Sequence, residues 1–443
     1  MASGVVAVVG RPNVGKSTLF NRLVGERTAI VEDVPGTTRD RIYGTVDWRG
    51  REFSLVDTGG IDEAFGARAR REDTLDNAVR RQVEAAIDEA DVVLFVVDSK
   101  TGLMPVEHDV ADRLRRAGKA TLVVANKSDG WRSEAQAAEF HSLGLGEPFT
   151  VSAIQGMGTG DLLDAVVERL PPDVPEDEAA HARVAIIGRP NVGKSSFLNA
   201  LVGSERAVVS ETPGTTRDTI DTTIERDGQR IVLVDTAGIR RRGRVEEGIE
   251  KYALLRTVHA LERADVAICL TDATEGITAQ DTHIAGYAID AGVGLVVGLN
   301  KWDAVEASEE HTERAEAELA REFHFAPWLV HRFVSAKTGR NVDATLADAV
   351  KIAEVRRVHV PTAELHRLLT DAIGSHPPPT HRGRSVRFSH VTQADARRPT
   401  FVFFVDKPEA VHFSYQRYLE NRIRERFGFA GTPIKIELRG TRE

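Results

Sequence analysis

The sequence GRPNVGKS occurs at residues 10–17 and again, letter for letter, at residues 188–195. Each copy follows a short run of mostly β-branched apolar residues, VVAVV in the first case and RVAII in the second. The spacing GxxxxGKS between a strand and a helix predicts a loop whose backbone N–H groups surround a phosphate. The N-terminus of the following helix favours an anion at the same place. The sequence therefore predicts two phosphate-binding loops in one chain.

Further motifs recur in the same order after each loop. The first set is PGTTRD at 35–40, DTGG at 57–60, NKSD at 126–129 and SAI at 152–154. The second set is PGTTRD at 213–218, DTAG at 235–238, NKWD at 300–303 and SAK at 335–337. The pairs are offset by 178, 178, 174 and 183 residues. Ordered matches at a nearly constant offset indicate two copies of one domain with different loop lengths.

The motifs divide the chain into three domains. We predict a first domain at 1–170, a Pro-rich acidic linker at 171–180, a second domain at 181–355 and a C-terminal domain at 356–443. In both repeats nearly continuous apolar runs alternate with helical stretches, which is typical of a mainly parallel sheet covered on both faces by helices. The C-terminal segment instead has the order helix–strand–strand–helix–strand. The predicted fold class is α/β, with two tandem three-layer domains and a small α+β domain.

The composition excludes several classes of protein. With 41% apolar and 28% charged residues, the chain of 443 residues is typical of a globular protein. No apolar run approaches the ~20 residues that cross a membrane, and the first residues show no export signal, so we expect a cytoplasmic protein. Cys269 is the only cysteine, which excludes a disulfide framework and a cysteine-based zinc site. We expect that cysteine in the core, and neither membrane nor DNA as a partner.

The charge is distributed unevenly along the chain. From residue 351 to the end, 17 Lys and Arg stand against 10 Asp and Glu, although the whole chain carries a net charge of −9. A basic tail on an acidic chain is typical of contact with a polyanion, and a solvated basic face is the alternative.

The phosphate-binding loops and the DxxG motifs offer ligands for phosphates and Mg²⁺. Lys16 and Lys194 should reach the outer phosphates, and the hydroxyls of the next residue in each copy should bind Mg²⁺. The first residue of DTGG and of DTAG should hold the same ion through water, and backbone N–H groups of these motifs should face the terminal phosphate. The predicted Mg²⁺ ligands in these motifs are Ser17, Asp57, Ser195 and Asp235.

NKSD and NKWD indicate that the base is guanine. The carboxylate of Asp129 or Asp303 can accept hydrogen bonds from guanine, whereas adenine would leave it unpaired at a cost of ~1–3 kcal/mol. Backbone contacts to the base are expected from the SA dipeptides. The first predicted nucleotide site comprises Gly10, Arg11, Pro12, Asn13, Val14, Gly15, Lys16, Ser17, Asp57, Thr58, Gly59, Gly60, Ile61, Asn126, Lys127, Asp129, Ser152 and Ala153. The second comprises Gly188, Arg189, Pro190, Asn191, Val192, Gly193, Lys194, Ser195, Asp235, Thr236, Ala237, Gly238, Ile239, Asn300, Lys301, Asp303, Ser335 and Ala336.

The residue after each DxxG motif is aliphatic, Ile61 in one copy and Ile239 in the other. An aliphatic side chain cannot orient a water molecule, so hydrolysis without other help should be near ~10⁻⁴–10⁻³ s⁻¹. Asn13 and Asn191 could present an amide oxygen to a monovalent cation there, and a turn-forming role is the alternative. The two PGTTRD segments lie where a loop would close on Mg²⁺ and the terminal phosphate, which is the basis of a switch.

These motifs, together with SYQRYLENRIRERFGFAGTPIKI at 414–436, resemble the Der/EngA family of tandem Era-like GTPases over the whole chain. The resemblance implies that the chain hydrolyses GTP to GDP and phosphate, ends in a KH-like domain, and acts as a monomer on the large (50S) ribosomal subunit and its rRNA. It also implies Thr38 and Thr216 as Mg²⁺ ligands. Potassium is implied as a second cofactor, with Thr37 and Thr215 joining the two asparagines and with backbone carbonyls near Glu32, Val34, Ser210 and Thr212.

The C-terminal domain departs from an RNA-clamping KH domain. Its GxxG string, from Gly428 to Gly431, follows a long helix and precedes the last strand instead of joining two helices. We interpret Gly428 as a helix stop. The domain could then contact rRNA through its charge, or pack on the second repeat.

Two classes of function stay open after this sequence analysis. The first is a GTPase whose output is a conformational switch in ribosome assembly. The second is a nucleotide-dependent rRNA-binding module in which hydrolysis is incidental. A tRNA-modifying or membrane-linked GTPase is disfavoured, because the chain has neither a catalytic cysteine at its end nor an amphipathic membrane helix.

Overall fold

The structure, a computed structural model, describes residues 4–25, 43–58, 83–84, 86–87, 90–128, 137–171, 180–203, 208–213, 220–226, 228–236, 253–305, 308–378, 380–381, 384–395 and 398–440. The chain forms two compact units. The first is Met1–Glu176 together with Arg244–Arg263, and the second is Asp177–Gly243 together with Ala264–Glu443.

The first unit is built on a six-stranded sheet. Its strands are β1 (Val5–Val9), β2 (Tyr43–Trp48), β3 (Arg51–Asp57), β4 (Val92–Asp98), β5 (Ala120–Asn126) and β6 (Phe149–Thr150). Helices α1 (Lys16–Gly25), α2 (Pro105–Ala117) and α3 (Thr159–Arg169) and a 3₁₀ helix (Ala138–Leu143) connect them. Strands β1 and β4 are buried along their whole length, because both faces of the sheet are covered.

The second unit contains a sheet of the same design. Its strands are β7 (Ala182–Ile187), β8 (Val208–Pro213), β9 (Ile220–Arg226), β10 (Gln229–Val234), β11 (Val266–Asp272), β12 (Gly294–Asn300) and β13 (Val330–Phe333). The helices in this part of the chain are α4 (Lys194–Val202), α5 (Ala253–Glu262), α6 (Ala279–Asp290), α7 (Glu309–Glu322) and α8 (Val342–Arg356), with a 3₁₀ turn at Trp302–Ala304. Helix α5 groups with the first unit, where it contacts β1 and β3.

The strand orders show that the repeat in sequence is a repeat in structure. The first sheet runs β2-β3-β1-β4-β5-β6 and the second β13-β12-β11-β7-β10-β9-β8. In the first, β1 lies parallel to both β3 and β4, and in the second β7 lies parallel to both β10 and β11. The chain therefore reverses its direction of progress at β1 and at β7, and in such sheets ligands bind at the carboxyl ends of the strands beside this reversal.

The C-terminal domain belongs to the second unit. It consists of helix α9 (Thr362–Ser375), the short strands β14 (Thr380–His381) and β15 (Arg384–Ser385), strands β16 (Phe388–Asp395) and β17 (Thr400–Val405), a 3₁₀ turn (Pro408–Ala410), helix α10 (Phe413–Phe427) and strand β18 (Lys435–Gly440). Strand β17 pairs antiparallel with β16 and parallel with β18. The predicted order of helix, two strands, helix and strand is confirmed.

The segment after α10 packs on the second sheet. Gly428 ends the helix, and its N–H donates to the carbonyl of Arg424 at 2.9 Å, as predicted for a helix stop. Gly431 has a φ of 68°, its N–H donates to Trp328 at 2.8 Å, and its carbonyl accepts from Leu295 of β12 at 2.7 Å. A Cβ at Gly431 would collide with Ile352. The structure therefore shows that this segment packs on the second repeat.

The guanidinium of Arg424 holds this junction together. It donates to the carbonyls of Phe429 and Thr432, both at 2.8 Å, and to the carboxylate of Glu420 at 2.7 and 2.9 Å. It also lies 4.8 Å from the ring centroid of Trp328. A single planar cation therefore satisfies two carbonyls of the turn and covers an aromatic ring of the second repeat.

We predict that Arg424→Ala lowers the free energy of unfolding by about 3 kcal/mol, because it leaves a carboxylate and two carbonyls without their donor in a mostly buried place. Urea denaturation followed by circular dichroism measures the effect. Arg417→Ala is the matched control, since Arg417 lies on the same helix and is exposed, and it should change stability by less than about 0.5 kcal/mol. Equal losses in the two variants would contradict the assignment.

Candidate functional site

Each GRPNVGKS loop leaves the central strand of its sheet and enters a helix at the carboxyl edge. The second glycine of each loop lies directly against an asparagine side chain: a Cβ on Gly15 would collide with the amide of Asn126, and a Cβ on Gly193 with that of Asn300. Both glycines have a left-handed φ, 95° and 99°. Glycine is therefore required at these two positions by both conformation and space.

The side-chain amides of Asn126 and Asn300 join three segments at each site. In the first site, Nδ2 of Asn126 donates to the carbonyl of Val14 at 2.8 Å and Oδ1 accepts from the N–H of Ala153 at 3.1 Å. In the second, the matching distances are 2.7 Å from Asn300 to Val192 and 2.9 Å from Ala336 to Asn300. The structure thus brings together the phosphate loop, the NKxD motif and the SA dipeptide at each site.

The loop lysines donate to the loop itself. Nζ of Lys16 donates to the carbonyls of Gly10 at 2.8 Å and Arg11 at 3.0 Å. Nζ of Lys194 donates to the two corresponding carbonyls at 2.7 and 2.6 Å. Both ammonium groups therefore lie over the loop where the sequence predicts phosphate.

The predicted magnesium ligands of the first site meet in the structure. The hydroxyl of Ser17, at the start of α1, donates to the carboxylate of Asp57 at 2.6 Å, and Asp57 is buried at the end of β3. The neighbouring Thr58 donates to the carbonyl of Val8 at 2.7 Å, which ties β3 to β1. Two oxygen atoms that could bind a metal ion, one from Ser17 and one from Asp57, therefore lie close together beside the phosphate loop.

The corresponding end of β10 in the second site is held by strand β9. The N–H of Asp235 donates to the carboxylate of Asp221 at 3.0 Å, and the hydroxyls of Thr222 and Thr236 lie 2.8 Å apart. Asp235 has a φ of 52°, a conformation that few non-glycine residues adopt. The antiparallel neighbour thus holds Asp235 and Thr236 at the end of β10.

The lysine of each NKxD motif is held by an aspartate that our sequence analysis missed. Nζ of Lys127 donates to Asp98 at 2.7 Å, and Nζ of Lys301 donates to Asp272 at 2.5 Å. Both lysines have a left-handed φ, 66° and 63°. Asp98 and Asp272 end strands β4 and β11 and recur at the same 174-residue offset as NKxD. That recurrence is the signal by which they could have been found.

The ion pairs hold these carboxylates in the ionised form. Burial opposes ionisation of Asp98, but the hydrogen bonds from Lys127 and from the N–H of Lys100 outweigh it, so the pKa of Asp98 is lowered from 3.8. The pKa of Asp272 is lowered in the same way, against burial, by Lys301 and Thr274. A lowered carboxyl pKa means that the contribution of each pair to stability is present at neutral pH and is lost only as the pH falls below the ordinary carboxyl range.

The arginine of each phosphate loop contacts a second pair of acidic residues that the sequence analysis missed. Nε of Arg11 lies 3.0 Å from the carboxylate of Glu107, and Nε of Arg189 lies 3.0 and 3.1 Å from the two oxygens of Asp281. Glu107 lies in the first turn of α2, which follows β4, and Asp281 lies in the first turn of α6, which follows β11. Each also accepts from the N–H of the N-cap residue of its helix. Burial raises the pKa of Glu107 although Arg11 opposes the shift.

The carboxylate of Asp303, which the sequence predicts to recognise guanine in the second site, contacts the SA dipeptide. The hydroxyl of Ser335 donates to Asp303 at 2.6 Å. This hydrogen bond lowers the pKa of Asp303, whose carboxylate is exposed. Trp302 beside it is buried, with its ring 4.1 Å from that of Phe333. Asp303 therefore presents an ionised carboxylate at the rim of the site.

Several predicted residues lie outside the described part of the chain. They are Glu32, Val34, Thr37, Thr38, Gly59, Gly60, Ile61, Asp129, Thr215, Thr216, Ala237, Gly238 and Ile239. Cys269 lies in β11 and is buried, as predicted, and burial raises the pKa of its thiol. Among the helices of the described ranges, none has the length and apolar character needed to cross a membrane.

Comparison with known proteins identifies the family. A family model described as "50S ribosome-binding GTPase" matches residues 5–127 and 183–301, and one described as "KH-domain-like of EngA bacterial GTPase enzymes, C-terminal" matches residues 359–439. "GTPase Der" of Thermomicrobium roseum is 54% identical over 98% of this chain and 95% of its own, and that of Chloroflexus aggregans is 50% identical over 99% and 98%. The chain belongs to the GTPase Der family. It is a GTPase with two tandem P-loop domains and a C-terminal KH-like domain, and the predicted family and fold class are confirmed.

Solved structures add a more distant comparison. Era of Aquifex aeolicus, solved with GDP and AlF₄⁻, is 21% identical and covers 58% of this chain and 92% of that one, with a TM-score of 0.29. This score is too low to add to the family assignment.

We predict that Asp98→Asn and Asp272→Asn each weaken GDP binding at their own site about tenfold. The substitution replaces a charge-assisted hydrogen bond to the NKxD lysine with a neutral one, a difference of about 1.4 kcal/mol. Titration with a fluorescent GDP analogue, fitted to two sites, measures both constants. Asp112→Asn on the outer face of α2 is the control and should leave them unchanged; unaltered binding in the first two variants would show that the lysines need no carboxylate.

Proposed function

We propose that this GTPase binds GTP at both repeated sites, hydrolyses it to GDP and phosphate, and uses the state of the terminal phosphate as a conformational switch in assembly of the large (50S) ribosomal subunit. The observation that carries the proposal is the repeated junction of phosphate loop, NKxD motif and SA dipeptide around Asn126 and Asn300. The ribosomal role is supported by the description of the matching family model and by the basic C-terminal segment.

At each site we propose the same division of roles. The backbone of residues 10–17 or 188–195 holds the phosphates, and the loop lysine balances their charge. Asp129 and Asp303 select guanine, with Ala153 and Ala336 contributing backbone contacts to the base. The domain limits are those predicted from the sequence, at 1–170, 181–355 and 356–443, and the chain acts as a cytoplasmic monomer.

Mg²⁺ is the proposed divalent cofactor, and the residues present fit it. Hard oxygen donors suit this ion, and in the first site the hydroxyl of Ser17 and the carboxylate of Asp57 lie 2.6 Å apart beside the phosphate loop. Ser195 and Asp235 would hold the ion in the second site, with Thr38 and Thr216 as further ligands. When bound, the ion supplies positive charge that neutralises the phosphate oxygens.

Positioning and electrostatics carry the proposed hydrolysis. Hydrogen bonds to the loop carbonyls position Lys16 and Lys194, and groups that are held in place require little rearrangement as charge develops on the phosphates. Potassium is the proposed second cofactor, because an aliphatic residue follows each DxxG motif and Asn13 and Asn191 each occupy an exposed loop position. Their amide oxygens, together with Thr37 and Thr215, would bind this cation.

We predict that GTP turnover is at least tenfold faster in KCl than in NaCl at equal ionic strength and equal Mg²⁺. The double variant Asn13→Ala with Asn191→Ala should lose this difference, because the amide oxygens that favour potassium are gone. Phosphate release under multiple turnover measures the rates. Equal rates of the unaltered protein in the two salts would contradict the potassium proposal without affecting that of GTP hydrolysis.

Sedimentation with ribosomal subunits tests the ribosomal role. We predict that the protein sediments with the large subunit in the presence of a non-hydrolysable GTP analogue and that GDP reduces this fraction several-fold. Lys16→Ala with Lys194→Ala should abolish both turnover and the nucleotide-dependent difference, since Lys and phosphate no longer pair. If turnover is lost while sedimentation stays unchanged, the chain is instead an rRNA-binding module in which hydrolysis is incidental.

A further inference from the structure

The SA dipeptide of the first site is held by an arginine of helix α1. Nε of Arg22 donates to the carbonyl of Ala153 at 2.9 Å, and its Nη2 donates to the carbonyl of Ile154. The N–H of Ala153 donates to Asn126 on the other side. The short loop that carries the expected base contact is therefore held from both directions, by an amide and by a planar cation.

The second repeat lacks this arginine. Ser17, Asn21 and Arg22 of α1 correspond, at the offset of 178 residues, to Ser195, Asn199 and Ala200 of α4. The hydrogen bond from Ala336 to Asn300 is kept at 2.9 Å, but the methyl group of Ala200 cannot donate to a carbonyl. Both sites therefore have the hydrogen bond between the SA dipeptide and the asparagine. At the equivalent helix positions, only Arg22 has a side chain that can donate to the SA loop.

The positive charge of the Arg22 guanidinium strengthens its two hydrogen bonds to the SA loop. A guanidinium presents its donors in a rigid fork and makes hydrogen bonds about twice as strong as neutral ones. Loops that bind ligands come from the less stable parts of a fold, so a clamp on such a loop changes how often it opens. A loop that opens less often releases its ligand more slowly.

We propose that Arg22 is a positioning residue that holds the base-recognition loop of the first site closed, so that this site releases guanine nucleotides more slowly than the second. The inference rests on the proposed base contact of Ala153. It assigns different exchange rates to two sites whose phosphate loops are identical in sequence.

Dissociation of a fluorescent GDP analogue, chased with excess GDP, tests the proposal in the full chain. In a Lys194→Ala background, which weakens the second site, Arg22→Ala should raise the dissociation rate from the first site about tenfold. Arg22→Lys should restore the slow rate only in part, because an ammonium lacks the rigid, planar pair of donors with which the guanidinium contacts the two carbonyls. In a Lys16→Ala background, Ala200→Arg should slow dissociation from the second site.

The controls separate positioning from a general effect of charge. Arg116→Ala removes a basic residue from the last turn of α2, and it should leave the rate unchanged. Full rescue by Arg22→Lys would show that Arg22 only complements the end of its helix, and an unchanged rate in Arg22→Ala would show that the loop needs no clamp; either result overturns the inference. Failure of the Lys194→Ala chain to bind any GDP analogue would instead contradict the proposed first nucleotide site.

Discussion

Each nucleotide site of this protein depends on the side-chain amide of an asparagine that lies against a glycine. The amides of Asn126 and Asn300 fill the space that a Cβ on Gly15 or Gly193 would occupy, and each joins the carbonyl of one loop to the N–H of another. Both hydrogen bonds are buried, so losing either would leave a backbone group unpaired at a cost of ~1–3 kcal/mol. The asparagine therefore links the phosphate loop to the loop of the SA dipeptide, so that neither can move without breaking one of these hydrogen bonds.

Some contacts around Asn126 and Asn300 are the same in both repeats, and others differ. The ion pairs Asp98–Lys127 and Asp272–Lys301 are equivalent, because each joins the lysine of an NKxD motif to the aspartate that ends the neighbouring strand. Elsewhere the copies differ, as in the loop that Arg22 reaches and in the buried ring of Trp302, which replaces the serine of NKSD. The two repeats thus share the hydrogen bonds around the central asparagine and differ in residues that contact the neighbouring loops.

Much of this arrangement could be predicted from the sequence, because the phosphate loops and NKxD motifs owe their function to backbone shape and to fixed spacing. Strands β2, β8 and β9, which form the antiparallel part of each sheet, were not predicted, because sequences such as IDTTIER are too polar to resemble the buried runs. Glu107, Asp281 and Arg22 were also missed as contributors to the sites. Each is an ordinary residue for its helix, and its role arises only from a contact with a loop about a hundred or more residues away in the chain.

The contact between Gly431 and strand β12 has a consequence for how the chain can be divided. Leu295, which donates to Gly431, lies near the start of the strand whose end carries NKWD, and Ile352 of α8 packs where a Cβ of Gly431 would stand. Ending the chain before the KH-like domain would uncover an amide hydrogen and an aliphatic side chain that are now shielded from water. The KH-like domain therefore covers β12 and α8 of the second GTPase domain. The smallest fragment that keeps this surface buried contains both the second GTPase domain and the KH-like domain.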